Sequence, residues 1–381
     1  MIKGKHFLHS NRKGVKKRNL GLKERIITIS KPIVFTDFHH PALLNSLILL
    51  FEKRMGATVF RPIGSEWNSQ GFWKVLVCPD PVKVYLEIGT PMHNQVVGYF
   101  DVNNLGTSSI HAYLCKDDSG FINKAITLDT FYQIPVDIVI ASIPAHIEPF
   151  SLLCKSHPNK PKLIYQIGNA WPIQAGLAPN VMASALINDL PNHIHFISYH
   201  QEFDLSVFHP EFSYPDQNIY SFVNCFNAIE AYNSDWQLFE SVERLMPDWT
   251  FKSYGGLCRN NRVDGFGKVA KQMRESRFIW HTKYGGDGYG HVVYNSAAVA
   301  RPMIVKKEYY HDKVGRELMI DCVTCLAIDG LSPQEVANKI LYYSDEKRYA
   351  TLCKNVYENF KKKVDFDKEA KVVQNFINGL I

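Results

Sequence analysis

Arg277-Phe-Ile-Trp-His-Thr-Lys-Tyr-Gly-Gly-Asp-Gly-Tyr-Gly-His-Val-Val-Tyr-Asn-Ser-Ala-Ala-Val-Ala-Arg-Pro-Met-Ile-Val305 carries more information than any other stretch of the chain. It opens on an apolar run, crosses a glycine-rich loop, takes up helical spacing, and enters a second apolar run behind Pro302. This pattern predicts strand, loop, helix and strand in succession. Gly285, Gly286, Gly288 and Gly290 permit positive φ and close backbone approach. The helix behind them begins with unpaired N–H groups and a positive dipole end, a ready place for phosphate oxygens. Lys283, just before the glycines, adds a point charge. Asp287 is a carboxylate beside an anion site, unfavourable unless it serves another group such as sugar hydroxyls. The glycine spacing matches neither a dinucleotide-binding fingerprint nor a Walker loop.

Outward from this segment, short apolar runs alternate with helical patterns, as a parallel α/β sheet requires. In the first half, strands are expected at 33–36, 58–62, 83–88, 136–142, 162–167 and 193–198, with a helix over 41–55. Residues 91–131 are expected to hold some strands and a long loop. A second series places strands at 221–226, 250–254, 277–281, 303–307 and 322–328, and helices at 236–245 and 333–343. Between the two series, residues 209–217 carry two prolines and no periodicity, which suits a linker. Residues 349–381 read as charged amphipathic helix. The expected organisation is a basic arm at 1–31, a first domain at 32–217, a second at 218–355, and a closing helix at 356–381.

Composition bounds the answer. A chain of 381 residues with 46% apolar and 21% charged residues is long enough for two ordinary globular domains. No apolar run reaches the ~18 residues of a membrane-spanning helix, and the start lacks the apolar core of a secretory signal. Eight cysteines are too sparse for a disulfide framework. Together these predict a soluble, cytoplasmic protein. Charge is uneven: residues 1–31 carry ten lysines and arginines against Glu24 alone, a formal +9, so the remainder carries −3 of the overall +6. Such an arm suits contact with a polyanion or with solvent alone, and residues 11–18 lack aromatics to stack on bases.

In register, the segment at 277–305 resembles the donor-site signature of retaining, nucleotide-sugar-dependent glycosyltransferases of the GT-B fold, the group 1 or family 4 type. Their pattern runs from an acid to an aromatic, a glycine, a glutamate, and then Gly-x-Pro before a strand. Asp287 stands at the first acid, Tyr289 at the aromatic, Gly290 at the glycine, Asn295 at the glutamate and Ala300 at the later glycine, and Arg301-Pro302 completes it. The resemblance implies an α/β fold of two Rossmann-like domains facing across a cleft, with a C-terminal helix crossing back to the first. It implies transfer of a sugar from a UDP- or GDP-linked donor, with retention and with neither metal nor bound cofactor. The acceptor (glycan, lipid, small molecule or nucleic acid) stays open. Asn295, at the ribose-binding glutamate, offers fewer acceptor lone pairs. Altered donor preference, or a non-catalytic sugar- or nucleotide-binding protein of the same fold, are alternatives.

The resemblance makes His146, Asp287 and Lys283 the candidate catalytic residues. Gly285, Gly286, Gly288, Tyr289, Gly290, His291, Asn295 and Arg259 are the donor-binding candidates. Asp37, His39, His40, Gly168 and Asn169 are the acceptor-side candidates. No metal ligands are expected: His193, His195, His200 and Glu202 read as strand and loop residues, and Asp365-Phe-Asp367 as solvated surface. Cys322 and Cys325 read as buried core cysteines.

Deleting residues 1–31 should leave donor binding unchanged, because the donor-site residues lie at 283–295. Any affinity for duplex DNA, RNA or anionic vesicles should collapse in the truncated chain, and in the full chain should fall steeply with salt. Binding of both chains at two salt concentrations checks this; a full-length chain that ignores all three polyanions at low salt makes the arm a solvated tail.

Overall fold

Continuous runs of Val, Ile and Phe can bury both faces only in a parallel sheet covered by helices, and the chain builds two such sheets. The computed structural model describes residues 31–37, 40–64, 67, 83–85, 91–93, 95–102, 111–117, 120–168, 178–187 and 190–381. The expected arm up to residue 30, His39 and Asn169 lie outside the described residues.

The first half runs β1 (Ile33–Thr36), α1 (Pro41–Ile48), β2 (Thr58–Pro62), β3 (Lys83–Tyr85), β4 (Pro91–His93), β5 (Gln95–Asp101), β6 (His111–Lys116) and β7 (Ile122–Ile126). It continues through α2 (Leu128–Gln133), β8 (Ile138–Ala141), α3 (Pro144–Ser156), β9 (Lys162–Ile167), β10 (Asn180–Ala183) and β11 (His195–Ser198). Nine of these strands form one sheet in the order β11-β10-β9-β8-β1-β2-β7-β6-β5. It is parallel from β11 to β7, and β5 and β6 extend it antiparallel. Val34 pairs with Val59 on one side and Ile138 on the other, so the sheet reverses its build direction at β1 and β8.

The second half comprises β12 (Asn218–Ser221), α4 (Asn233–Leu245), β13 (Thr250–Ser253), α5 (Phe266–Glu275), β14 (Phe278–His281), α6 (His291–Ala298), β15 (Met303–Val305), β16 (Cys325–Ala327) and α7 (Pro333–Tyr343). Its sheet is wholly parallel, in the order β13-β12-β14-β15-β16. Here the reversal falls between β12 and β14. Crevices outside the carboxyl ends of strands at such reversals are where α/β sheets bind ligands. Two helices close the chain, α8 (Glu346–Lys363) and α9 (Phe366–Leu380).

The structure differs from expectation in four places. The strand expected at 221–226 stops at Ser221, because Val223 and Phe226 are buried against α4 from a loop rather than from the sheet. β10 has no counterpart among the expected strands. The closing helix begins at Phe366 rather than 356: α8 ends at Lys363, and Asp365 caps α9 by accepting from Lys368 N. Cys322 is exposed with φ +58°, whereas Cys325 is buried; the run containing both is turn at 322–324 and strand from Cys325.

Each half has its own core, and α9 serves both. Phe366 packs with Phe360 and with Phe203 and Phe208, from the segment ahead of β12, in the core of the second half. Ala370, Val373 and Ile377 pack with Leu43, Leu47 and Val59 of the first. Glu369, on the same helix, accepts from His200 N at 2.6 Å and sits 2.9 Å from His200 Nδ1. On its other side His200 Nε2 lies 2.8 Å from Glu317, which also accepts from Tyr294 OH. Burial alone would lower the His200 pKa, but the two carboxylates overcome it and raise it to about 9.

A histidine whose folded pKa lies above its ordinary 6.5 adds stability fully present below about pH 6.5 and lost as pH climbs through about 9. His200→Gln should therefore lower Tm near neutrality and converge with the unaltered protein near pH 10. The loss should fall between the ~1 kcal/mol of an exposed pair and the ~3–5 kcal/mol of a fully buried one. Thermal denaturation across that range measures it; a pH-independent difference would make His200 a packing residue only.

Candidate functional site

The carboxyl ends of β1, β8 and β9 face those of β12 and β14 across a cleft of about 480 Å³. One wall comes from loops of the first half: His40 after β1, Ser142 after β8, Gly168 after β9. The other comes from Val223 and Asn224 after β12 and from the glycine loop after β14. The two sheet reversals thus point at the same space.

The glycine loop is shaped by backbone constraint. Gly286 has φ +68°, and a Cβ there would strike the Tyr309 carbonyl oxygen. Gly290, at φ +80°, is the N-cap of α6, and its carbonyl accepts from Val293 N and Tyr294 N. No side chain caps α6, and its first residues, His291 and Val292, line the cleft beside Gly288. Tyr289 turns inward: it stacks on Tyr294 at 4.4 Å between ring centroids and donates to the Gln201 carbonyl at 3.0 Å. At the resemblance's later glycine, Ala300 holds φ +58°, a left-handed backbone that favours glycine.

Charge in the cleft is concentrated on two residues. Asp287 is the one carboxylate, and Lys283 the one ammonium, among its described lining residues. They form an ion pair, and the second Asp287 oxygen lies 2.9 Å from His281 Nε2. Burial works to raise the Asp287 pKa, but the bond to His281 and then the charge of Lys283 hold it well below the usual carboxylate range. Burial likewise works against the Lys283 charge, and Asp287 more than restores it. His291, at the start of α6, is driven down to about 3 by burial, with His40 adding to the effect. The His40 and His291 rings face each other across the cleft, centroids 6.4 Å apart and 5° from parallel.

Among the sequence-predicted residues, Lys283, Asp287, Gly288, Tyr289, Gly290, His291, His40 and Gly168 line this cleft together. Gly285 and Gly286 shape the loop without lining it. Asn295 stands one turn into α6 in an adjoining cavity of about 280 Å³, which shares His291 and is walled by Asn45, Phe266 and Gly267. The Asn295 Oδ1 has no hydrogen-bond partner among the described residues.

Three expected residues lie elsewhere. Arg259 pairs with Glu243 at 2.7 Å and lies over the Trp236 ring at 5.4 Å, so a local carboxylate and aromatic claim its charge. Asp37 does not face the cleft; it is buried, accepting from Ser142 and, at 2.6 Å, from His146 Nδ1. Burial would raise its pKa, but the His146 bond and then Ser142 hold it low. His146 itself is 1% exposed and is not among the described residues lining the cleft. The expected surface carboxylate Asp367 pairs with Arg54, and no cluster of three or more His, Cys, Asp or Glu able to hold a metal occurs among the described residues.

Sequence reasoning missed His281, Ser142, Asn224 and Gln201 as lining residues. His281 was legible only as the last residue of an apolar strand, and strand ends in such sheets face the crevice. The others lie in loops whose direction depends on the strands beneath.

Two Rossmann-like halves facing across a cleft, tied by a C-terminal helix that returns to the first, constitute the GT-B fold, and this chain has it. A solved structure from Anabaena, Alr3699/HepE in complex with UDP-glucose, matches it with TM-score 0.58 at 13% identity, covering 91% of this chain and 99% of that one. A glycosyltransferase from Rickettsia africae matches with TM-score 0.57 at 11% identity, over 92% and 98% of the two chains. An alpha-glucosyltransferase in complex with UDP and a 13-mer DNA containing a central A:G mismatch matches with TM-score 0.57 at 10% identity, over 91% and 99%. By sequence, no family model and no curated protein matches. No helix among the described residues is long and apolar enough to cross a membrane.

Lys283→Ala should weaken binding of UDP or pyrophosphate by about 1.5–3 kcal/mol, the scale of a hydrogen bond to a charged group. Calorimetric titration reads this directly. Unchanged affinity would remove Lys283 from the anion site.

Proposed function

We propose that this protein is a glycosyltransferase that moves a sugar from a UDP- or GDP-linked donor to an acceptor with retention of anomeric configuration. The observation that carries the reading is the uncapped start of α6 opening, beside Lys283, on a cleft between two sheet reversals. A diphosphate placed there meets backbone donors, a helix dipole and an ammonium, the means by which a departing phosphate is stabilised. Asp287 faces the same space and offers its remaining lone pairs to sugar hydroxyls. Asn295, in the adjoining cavity, is assigned the ribose. His40 and Gly168, on the opposite wall, are assigned the acceptor side.

On this reading the chemistry rests on placing two substrates and stabilising the leaving group, not on a strong general base. His146, held by Asp37 and absent from the cleft's described lining, is assigned to the support of that wall rather than to contact with the donor. Metal independence and a cytoplasmic setting follow from the resemblance and the composition, as part of the same proposal. A nucleic-acid acceptor is the second reading, favoured by the +9 charge of residues 1–31 and by the DNA-bound glucosyltransferase among the similar structures.

The test is a screen of nucleoside diphosphates and their sugars by thermal shift, followed by release of the diphosphate from the best donor. UDP or GDP should raise Tm, since a ligand bound only to the folded state stabilises it, and the cognate nucleotide sugar should be slowly hydrolysed without acceptor. Chelator should leave turnover intact. Binding without turnover would establish the non-catalytic alternative, and activity lost to chelator and restored by manganese would overturn the metal-independent assignment.

A further inference from the structure

The two oxygens of Asp287 are divided between partners of unlike rigidity. His281 is the last residue of β14, 1% exposed, its ring packed 6.3 Å from that of Tyr310. Lys283 stands in the loop, and a third of its side chain is exposed. The partner that cannot swing sets the orientation of the carboxylate, and the flexible one is exchangeable. Were Oδ2 left without a donor, a carboxylate this enclosed would recover the loss by turning both oxygens onto the ammonium. That would take Lys283 away from any anion entering the cleft.

We infer that His281 is a positioning residue: by occupying Asp287 Oδ2 it confines Lys283 to Oδ1, leaving the ammonium free to transfer to a bound diphosphate. The Nε2–H donates to the carboxylate. Its Nδ1 is buried and has no hydrogen-bond partner among the described residues, so no other polar contact explains a histidine at this strand end. The remaining titratable groups that act on Asp287 are Tyr232 ahead of α4, Tyr310 beyond β15 and His291 at the start of α6. None of them supplies a hydrogen bond to Oδ2. The inference deepens the donor-site reading and rests on it for the identity of the anion.

The test compares full-length protein with His281→Phe, which keeps a ring but loses the donor, and His281→Gln, which restores an N–H at similar reach. The first measurement, independent of activity, is the titration of the Asp287 carboxyl by carbon NMR. It should move to higher pH in His281→Phe and return toward the unaltered protein in His281→Gln. The second is UDP affinity by calorimetry, expected to fall about tenfold or more in His281→Phe, the scale of one charged hydrogen bond, and to recover in His281→Gln. With a turned-over donor, the acid limb of the kcat profile should shift upward in pH with the carboxyl. A His281→Phe protein that titrates and binds UDP like the unaltered one overturns the inference, as does one whose losses His281→Gln fails to restore. If the unaltered protein binds no nucleotide yet the carboxyl titration moves and returns as described, the positioning role stands and the donor-site reading falls.

Discussion

Helix α9 is the one constraint on which the cleft depends. Each half of the protein buries its own sheet, so neither core fixes where the other half lies. α9 does, because it places Phe366 in the second core and Ala370, Val373 and Ile377 in the first. Charges on the same helix reinforce the link: Asp367 meets Arg54 of the first half, and Glu369 meets His200, whose other face holds Glu317 of the second. A cleft whose walls are joined this way has its width set far from the residues that line it. Changes along α9 are expected to act on the site without touching it.

Within that frame the site is organised by charge economy. A buried carboxylate is costly unless paired, and two carboxylates solve the problem in different ways. Asp37 is satisfied wholly inside the first half, by Ser142 and His146, and stays out of the cleft. Asp287 is satisfied by His281 and Lys283 at the edge of the cleft and stays reachable. The same chemistry thus yields an enclosed carboxylate in one half and a cleft-lining one in the other. Only the second lines the cleft, beside the start of α6.

The glycosyltransferase signature was legible at the level of backbone as well as letters. Gly290 holds the left-handed conformation that opens α6, and Ala300 holds one where the signature has glycine. The position therefore keeps the geometry after losing the residue that favours it. Asn295 keeps its place on α6 but lies in the neighbouring cavity, one turn into the helix. Side chains whose surroundings are local, such as Lys283 beside its glycines, could be placed at the cleft from spacing alone. Arg259 could not, because nothing in its own loop announces that Glu243, sixteen residues earlier, would claim it.

What the sequence by itself determined was the alternation of strand and helix, the loop that opens α6, and the two-domain plan, because each depends on the periodicity of neighbours along the chain. Val34, Phe35, Ile138 and Val139 could be recognised as buried strand residues from their runs. What only the tertiary structure decided was which charged side chains reach the cleft. Asp37 and His146 both follow strands that point at it, yet a 2.6 Å bond between them turns both inward. His281 closes an apolar strand and reads as core, yet the loop behind it folds Asp287, six residues on, back to meet it. A polar side chain goes where its hydrogen bonds are completed, and the partners that complete them are brought from other strands and loops by packing, which no local pattern records.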